Sequence, residues 1–183
     1  LDLLQPSASM AVGEHMLNLL ISDVLFNCLR TQFPADFFSI EKKRRFARSA
    51  ANLFDSASIA GSIARSNDLA DPENEPFEWF QAVCKNENRV ISSFLRKFSL
   101  HTGEARYEGA ASGYHDYLLP LMQSVRVLLG DSIAVYVLLD DDDRPGRRQQ
   151  SIVSTCMANR DTAYGCFTLS STPDGSRPLL YRT

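Results

Sequence analysis

Four consecutive aspartates, Asp140 to Asp143, are the residues of this sequence best suited to binding a metal ion. They directly follow the uncharged run 133–139, which is typical of a buried strand in the middle of a sheet. Carboxylates at the end of a strand can supply the oxygen ligands that Mg²⁺ prefers, so Asp140 and Asp142 are candidate ligands for a hydrolase. No second ligand set accompanies them at a defined spacing, and a solvated turn is the favoured interpretation.

A cluster of five basic side chains lies where a helix is predicted to begin, with Glu41 as the one acidic residue beside it. Positive charge near a helix N-terminus opposes the helix dipole, which indicates that an acidic group compensates it. The acidic segment 68–78 of the same chain is the favoured compensating group, and a protein partner or the phosphates of a nucleic acid are the alternatives. The residues that would bind such a partner are Lys42, Lys43, Arg44, Arg45 and Arg48.

An aromatic and polar group surrounds the glycine-bearing segment 99–113, which we predict to be a connection between two halves of the chain. Tyrosines close to a histidine and an arginine can frame a small-molecule pocket, although a packed junction is the favoured alternative. The candidate pocket residues are His101, Arg106, Tyr107, Tyr114 and Tyr117.

The histidines and cysteines form no recognisable catalytic or metal-binding pattern. No two of His15, His101 and His115 stand at zinc-ligand spacing, and neither a nucleophile elbow nor a phosphate-binding glycine motif is present. The four cysteines are far apart and contain no C-x-x-C motif, which favours reduced thiols and a cytoplasmic location. We therefore predict no cofactor and assign no catalytic residue.

Composition places the chain among ordinary globular proteins. Its 183 residues are 44% hydrophobic and 22% charged, and the net charge is −3. These values exclude a disordered or collagen-like chain and provide no strong field for nucleic acid or an anionic membrane. No run of apolar residues is long enough for a spanning helix, so we expect a soluble protein without a membrane partner. Because the sequence begins at Leu1, we expect a fragment of a longer protein.

Hydrophobic periodicity predicts four helices. In the first, six apolar residues recur at spacings of three and four, and two more widen the apolar surface, which implies burial between other elements or at an interface. The six are Leu17, Leu20, Ile21, Val24, Leu25 and Cys28, and the two are Leu19 and Phe26. The predicted helices are Gly13 to Thr31, Ile40 to Arg65 with Ser39 as its N-cap, Phe77 to Phe98, and Tyr114 to Leu129.

After the fourth helix the pattern changes to short, β-rich runs. The first is residues 133–139, which we expect in the middle of a sheet, and 151–158 and 162–170 then read as a hairpin, followed by an edge strand at 178–182. The sequence therefore predicts an α+β fold in which an N-terminal helical half precedes a small antiparallel β-meander covered by a helix. We assign residues 1–111 to the helical region and 112–183 to the helix and sheet, as one cooperative domain.

These observations predict a non-catalytic protein-interaction or regulatory and sensor module of a larger soluble protein. The wide apolar first helix and the small residues of the second would serve self-association or docking of a protein partner. The alternatives are a Mg²⁺-dependent hydrolase that uses the four aspartates and a nucleic-acid-binding domain that uses the basic cluster.

Overall fold

A computed structural model describes residues 6–57, 59, 74–100, 107, 109–130, 133–140 and 166–170. These residues are mostly helical, in agreement with the predicted N-terminal helical half. The helices are α1 (Pro6–Thr31), α2 (Ile40–Ser56), α3 (Pro76–Leu100) and α4 (Leu119–Leu129), with a π-helical turn at Tyr114–Leu118 before α4; the strands are β1 (Tyr136–Asp140) and β2 (Cys166–Ser170).

The start and end of α2 follow from the local sequence. Ser39 caps the helix as predicted, because its hydroxyl oxygen accepts a hydrogen bond from the Lys42 backbone N–H at 3.3 Å. The predicted C-terminus at Arg65 is wrong, since α2 ends at Ser56 and Ala57 has left helical geometry. The serines and glycine that follow have a weaker helix propensity than the residues of α2, which explains the earlier end.

The approach to α4 contains an irregular turn that a proline explains. The Leu119 backbone N–H donates to the carbonyl of Tyr114, five residues back, which is the hydrogen bond of a π-helix. Pro120 follows directly in the first turn of α4, where its missing N–H is tolerated. Gly130 ends α4 as predicted, with a φ of +81° that other residues rarely adopt.

All four helices contribute to one hydrophobic core, in which α1 packs mainly on α3 and α2 mainly on α4. Phe26 of α1 is fully buried at its centre. Its ring centroid lies 6.3 Å from that of Phe46, 6.4 Å from Phe54 and 5.5 Å from Phe80, so that α1, α2 and α3 meet at one aromatic cluster. Rings at such separations stabilise a core beyond their buried area.

The strands correct two parts of the predicted sheet. β1 and β2 pair directly and in parallel, with Tyr136 opposite Cys166, whereas the predicted meander placed residues 151–158 between them. A parallel pair needs a crossover of a dozen or more residues, which the chain between β1 and β2 supplies. The predicted strand is also not buried on both faces: Val137 of β1 and Val135 directly before it pack on the core, while Tyr136 and Leu138 are exposed. The other two predicted strands lie outside the described residues.

Candidate functional site

The basic cluster lies at the solvent-facing start of α2. Lys42, Arg44, Arg45 and Arg48 are exposed. Lys43 is half-buried, and its Nζ donates to the carbonyl of Ala35 at 2.7 Å, so this lysine ties the loop between α1 and α2 to the helix. The cluster therefore combines one side chain that stabilises the loop with four that face solvent.

The structure places the predicted tyrosine pocket residues in the interior. Tyr114 and Tyr117 are buried, and the half-buried Tyr107 donates its hydroxyl to the carbonyl of Ala110 at 2.7 Å. His101 and Arg106 lie outside the described residues. The tyrosines thus belong to a packed junction, and a ligand pocket that includes His101 and Arg106 stays a prediction.

The predicted metal ligands are at or beyond the edge of the described chain. Asp140 is the last residue of β1 and pairs with Ser170, whereas Asp142 lies outside the described residues. Among the residues that the structure describes, no three histidine, cysteine or acidic side chains form a group that could hold a metal ion. The metal site at the aspartates therefore stays a prediction.

A buried polar network joins α1 to the segment before the π-helical turn, and sequence analysis did not identify it. The Nδ1 atom of His15 lies 2.7 Å from the Ser112 hydroxyl and accepts the Ser112 backbone N–H at 3.1 Å. Asn18 donates its side-chain amide to the Ser112 carbonyl at 2.9 Å. One turn of α1 therefore satisfies both backbone groups and the side chain of a single residue, which holds this segment against the helix.

Two further groups extend the network. Glu87 of α3 lies 3.7 Å from Nε2 of His15, and both side chains are almost completely buried. Tyr117 donates its hydroxyl to Ser22 of α1 at 3.0 Å and contacts the thiol of Cys84. Burial raises the pKa values of both the Tyr117 hydroxyl and the Cys84 thiol well above their usual range, so both groups stay protonated.

The order of Ser112, His15 and Glu87 resembles a hydrolase triad, but the geometry favours a structural role. Ser112 is only 2% exposed, so a substrate has no access to its hydroxyl. A neutral imidazole has one acceptor nitrogen, and in His15 that nitrogen already accepts the Ser112 backbone N–H. A nucleophile needs both a free base and access to substrate. The network therefore positions the segment and performs no acyl transfer in this conformation.

The opposite side of α1 carries an apolar surface exposed to solvent. Leu20 and Val24 are each 54% exposed and Met10 is 42% exposed, while Leu17 is half-buried. We name these four residues the α1 apolar face. With Gly13 they stand at alternating spacings of three and four residues, which is the spacing of coiled-coil contact positions.

This result corrects the predicted apolar stripe of the first helix. The stripe was expected to be buried between other elements or at an interface; within the chain Ile21 is buried, whereas Leu20, Val24 and Cys28 are exposed. The buried side of α1 instead combines apolar side chains with His15, Asn18 and Ser22. When a helix carries apolar residues on both sides, hydrophobic periodicity alone does not predict which side is buried. The alternating spacing from Met10 to Val24 was the signal in the sequence that could have identified a separate contact face.

None of the described helices combines the length and apolar character needed to cross a membrane. Comparison with protein-family models finds no match, and comparisons with curated proteins and with solved structures find no significant match either.

Proposed function

We propose that this chain is a non-catalytic protein-interaction module and that two copies associate through the α1 apolar face. The observation that carries the proposal is the exposure of Met10, Leu20 and Val24 at contact spacing on one side of a 26-residue helix. Exposed apolar residues that are contiguous mark interaction sites more often than scattered ones do. In addition, a stripe of this kind is self-complementary, as a contact between two identical copies requires.

The energetics predict a weak, reversible contact. Burying a Leu, Val or Met side chain completely contributes about 1.5–3 kcal/mol, so each half-exposed residue of the face contributes about 0.8–1.5 kcal/mol. The three most exposed residues of each copy, six in a pair, then contribute about 5–9 kcal/mol. Association costs at least about 4 kcal/mol in lost freedom of motion, so at most about 5 kcal/mol remains and the dissociation constant is about 0.2 mM or weaker.

A contact of this strength suits a module within a larger protein. Two domains joined or assembled in one protein experience effective concentrations of about 1 mM, at which such a contact forms in a substantial fraction of molecules. The contact can then be switched by assembly of the larger protein, which is the regulatory role proposed here. The free thiols of Cys28 and Cys84 support a reducing, cytoplasmic setting for that protein.

Sedimentation equilibrium from about 10 μM to about 1 mM tests the proposal, because the upper end reaches the effective concentration of about 1 mM at which the contact should form. We expect the average mass of the wild-type chain to rise with concentration and that of Leu20→Glu to stay at the monomer. Val127→Glu is the matched control, since Val127 is 69% exposed on α4, outside the α1 apolar face. A Leu20→Glu chain that associates like the wild type, or a wild-type chain that is still monomeric at about 1 mM, would overturn self-association at the concentrations that a larger protein provides.

The basic cluster supports nucleic-acid binding as a second candidate function. Four of its five side chains are exposed on two consecutive turns of α2, where they can approach phosphates. We expect a double Lys42→Ala and Arg45→Ala chain to bind a fluorescent duplex more weakly than the wild type, with a smaller dependence on salt. Lys97→Ala, an exposed lysine on α3, is the control. Absence of wild-type binding at about 50 mM salt removes this candidate.

A further inference from the structure

A pocket of about 210 Å³ lies where the end of α1, the loop after it and the start of α3 meet. Its aromatic residues are Phe33, Phe38 and Phe77, of which Phe38 and Phe77 are buried. The ring centroids of Phe38 and Phe77 are 5.6 Å apart, and those of Phe33 and Phe38 are 5.2 Å apart. Side chains from the loop after α1 and from the start of α3 therefore form an apolar surface held in place by ring contacts.

Charged residues of both signs line the same pocket. The bases, Arg30 and Lys43, come from α1 and α2. The acids are Glu75, directly before α3, and Glu78 in its first turn. Lys43 is held by its hydrogen bond to Ala35, which fixes its position at the pocket. Within the described part of the chain, neither glutamate forms an ion pair with either base. Opposite charges that line one pocket without pairing leave room for a ligand that contacts both.

We propose that this pocket binds a free α-amino acid with an apolar side chain, such as leucine. The carboxylate of the ligand would contact Arg30, its ammonium group would contact Glu78, and its side chain would pack on the phenylalanines. Charge-assisted hydrogen bonds of this kind are stronger than neutral ones. A pocket of about 210 Å³ is smaller than the roughly 300–1,000 Å³ typical of sites for drug-sized ligands, and it suits a single amino acid.

The arrangement distinguishes a free amino acid from an apolar segment of a protein. A residue inside a peptide chain carries neither an ammonium nor a carboxylate group at its own backbone, so it would leave both sets of charges without a ligand partner. An unpaired charge that is partly desolvated lowers affinity. The pocket should therefore discriminate by the two charges at the ligand backbone as well as by the side chain.

Titration of leucine, followed by calorimetry and by the fluorescence of Trp79, the only tryptophan of the chain, tests the proposal. We expect saturable binding with a dissociation constant of about 0.1–1 mM. N-acetylleucine, which lacks the ammonium, and leucine amide, which lacks the carboxylate, should each bind about tenfold more weakly. Equal binding of leucine and both capped analogues, or no saturable binding of leucine up to about 10 mM, overturns the proposal.

Single substitutions test which charged side chain contacts which charged group of the ligand. Arg30→Gln should weaken leucine about tenfold and leave the binding of leucine amide unchanged, because the amide makes no use of the guanidinium. Glu78→Gln should weaken leucine and leave N-acetylleucine unchanged. Arg96→Gln, an exposed arginine of α3 outside this pocket, is the control and should bind as the wild type does. Arg30 and Glu78 are exposed, so both variants are expected to fold; leucine binding that neither variant changes contradicts the proposal.

Discussion

Helices α1 and α2 distribute polar and apolar residues in opposite ways. α2 buries Phe46, Ala50 and Phe54 and exposes all its charged side chains except the half-buried Lys43, as an amphipathic helix on a core should. α1 buries His15 among its apolar contacts while Leu20 faces solvent. The difference shows that burial in α1 depends on which hydrogen-bond partners the neighbouring elements provide, whereas burial in α2 follows from side-chain hydrophobicity alone.

The largest loss of stability is expected from a substitution in the aromatic core that the two helices share. Phe26→Ala should lower the free energy of unfolding by about 3–5 kcal/mol, because it leaves a cavity at the centre of the cluster. Urea unfolding followed by circular dichroism measures this loss. Phe26→Leu keeps most of the volume and should lose less, which makes the comparison possible if the alanine variant does not fold. A loss below about 1 kcal/mol for the alanine variant would show that Phe26 is not a core residue.

The polar side of α1 is expected to show the next largest effect. His15→Ala removes the acceptor of the buried Ser112 backbone N–H and the ring atom beside the Ser112 hydroxyl, which should cost about 1–3 kcal/mol. A double-mutant cycle with Ser112→Ala measures the coupling between the two residues, and we expect about 1 kcal/mol. Additive losses would mean that the Ser112 hydroxyl does not stabilise the His15 ring, and that His15 contributes through the Ser112 backbone N–H and by packing.

Alkaline pH should reveal the buried thiol on the α3 side of this network. Because burial raises the pKa of Cys84, its thiol stays protonated in the folded chain at a pH where it ionises in the unfolded chain. The unfolded state then binds fewer protons, so stability is full below about pH 9 and falls above it, by about 1.4 kcal/mol at pH 10. In Cys84→Ala, the free energy of unfolding should therefore fall less between pH 8 and pH 10 than it does in the wild type. Cys28→Ala, at an exposed cysteine, is the matched control, and its free energy of unfolding should fall with pH as that of the wild type does.

The smallest change in stability is expected on the α1 apolar face. Leu20→Gln should alter the free energy of unfolding of the monomer by no more than about 0.5 kcal/mol, because the side chain is already half in water. Urea unfolding at low protein concentration measures this value. A loss above about 2 kcal/mol would indicate that Leu20 is buried in the monomer, and the contrast between the two faces of α1 would disappear.

Sequence reasoning succeeded where local signals decide the structure. The hydroxyl of Ser39, the glycine after α4 and the apolar spacing of α3 each act within a few residues, and the predicted N-cap, the end of α4 and the helix α3 are present. It failed where distant residues decide. The network between His15 and Ser112 joins positions 97 residues apart, and periodicity carries no information about such a pair. For the same reason, the sequence did not predict that Arg30 and Glu78 line one pocket.

The sequence by itself determined that this chain forms a helical core, because the aromatic residues of α2 and α3 recur at helical spacing and their burial is strongly favourable. Only the tertiary structure decided which side of α1 is buried. Both sides of that helix carry apolar residues, and the polar side chains of one side gain hydrogen bonds to Ser112 that water would otherwise supply. Those bonds compensate the loss of hydration on burial of the polar side, so that Leu20 and Val24 remain exposed, as the proposed contact with another copy of the chain requires.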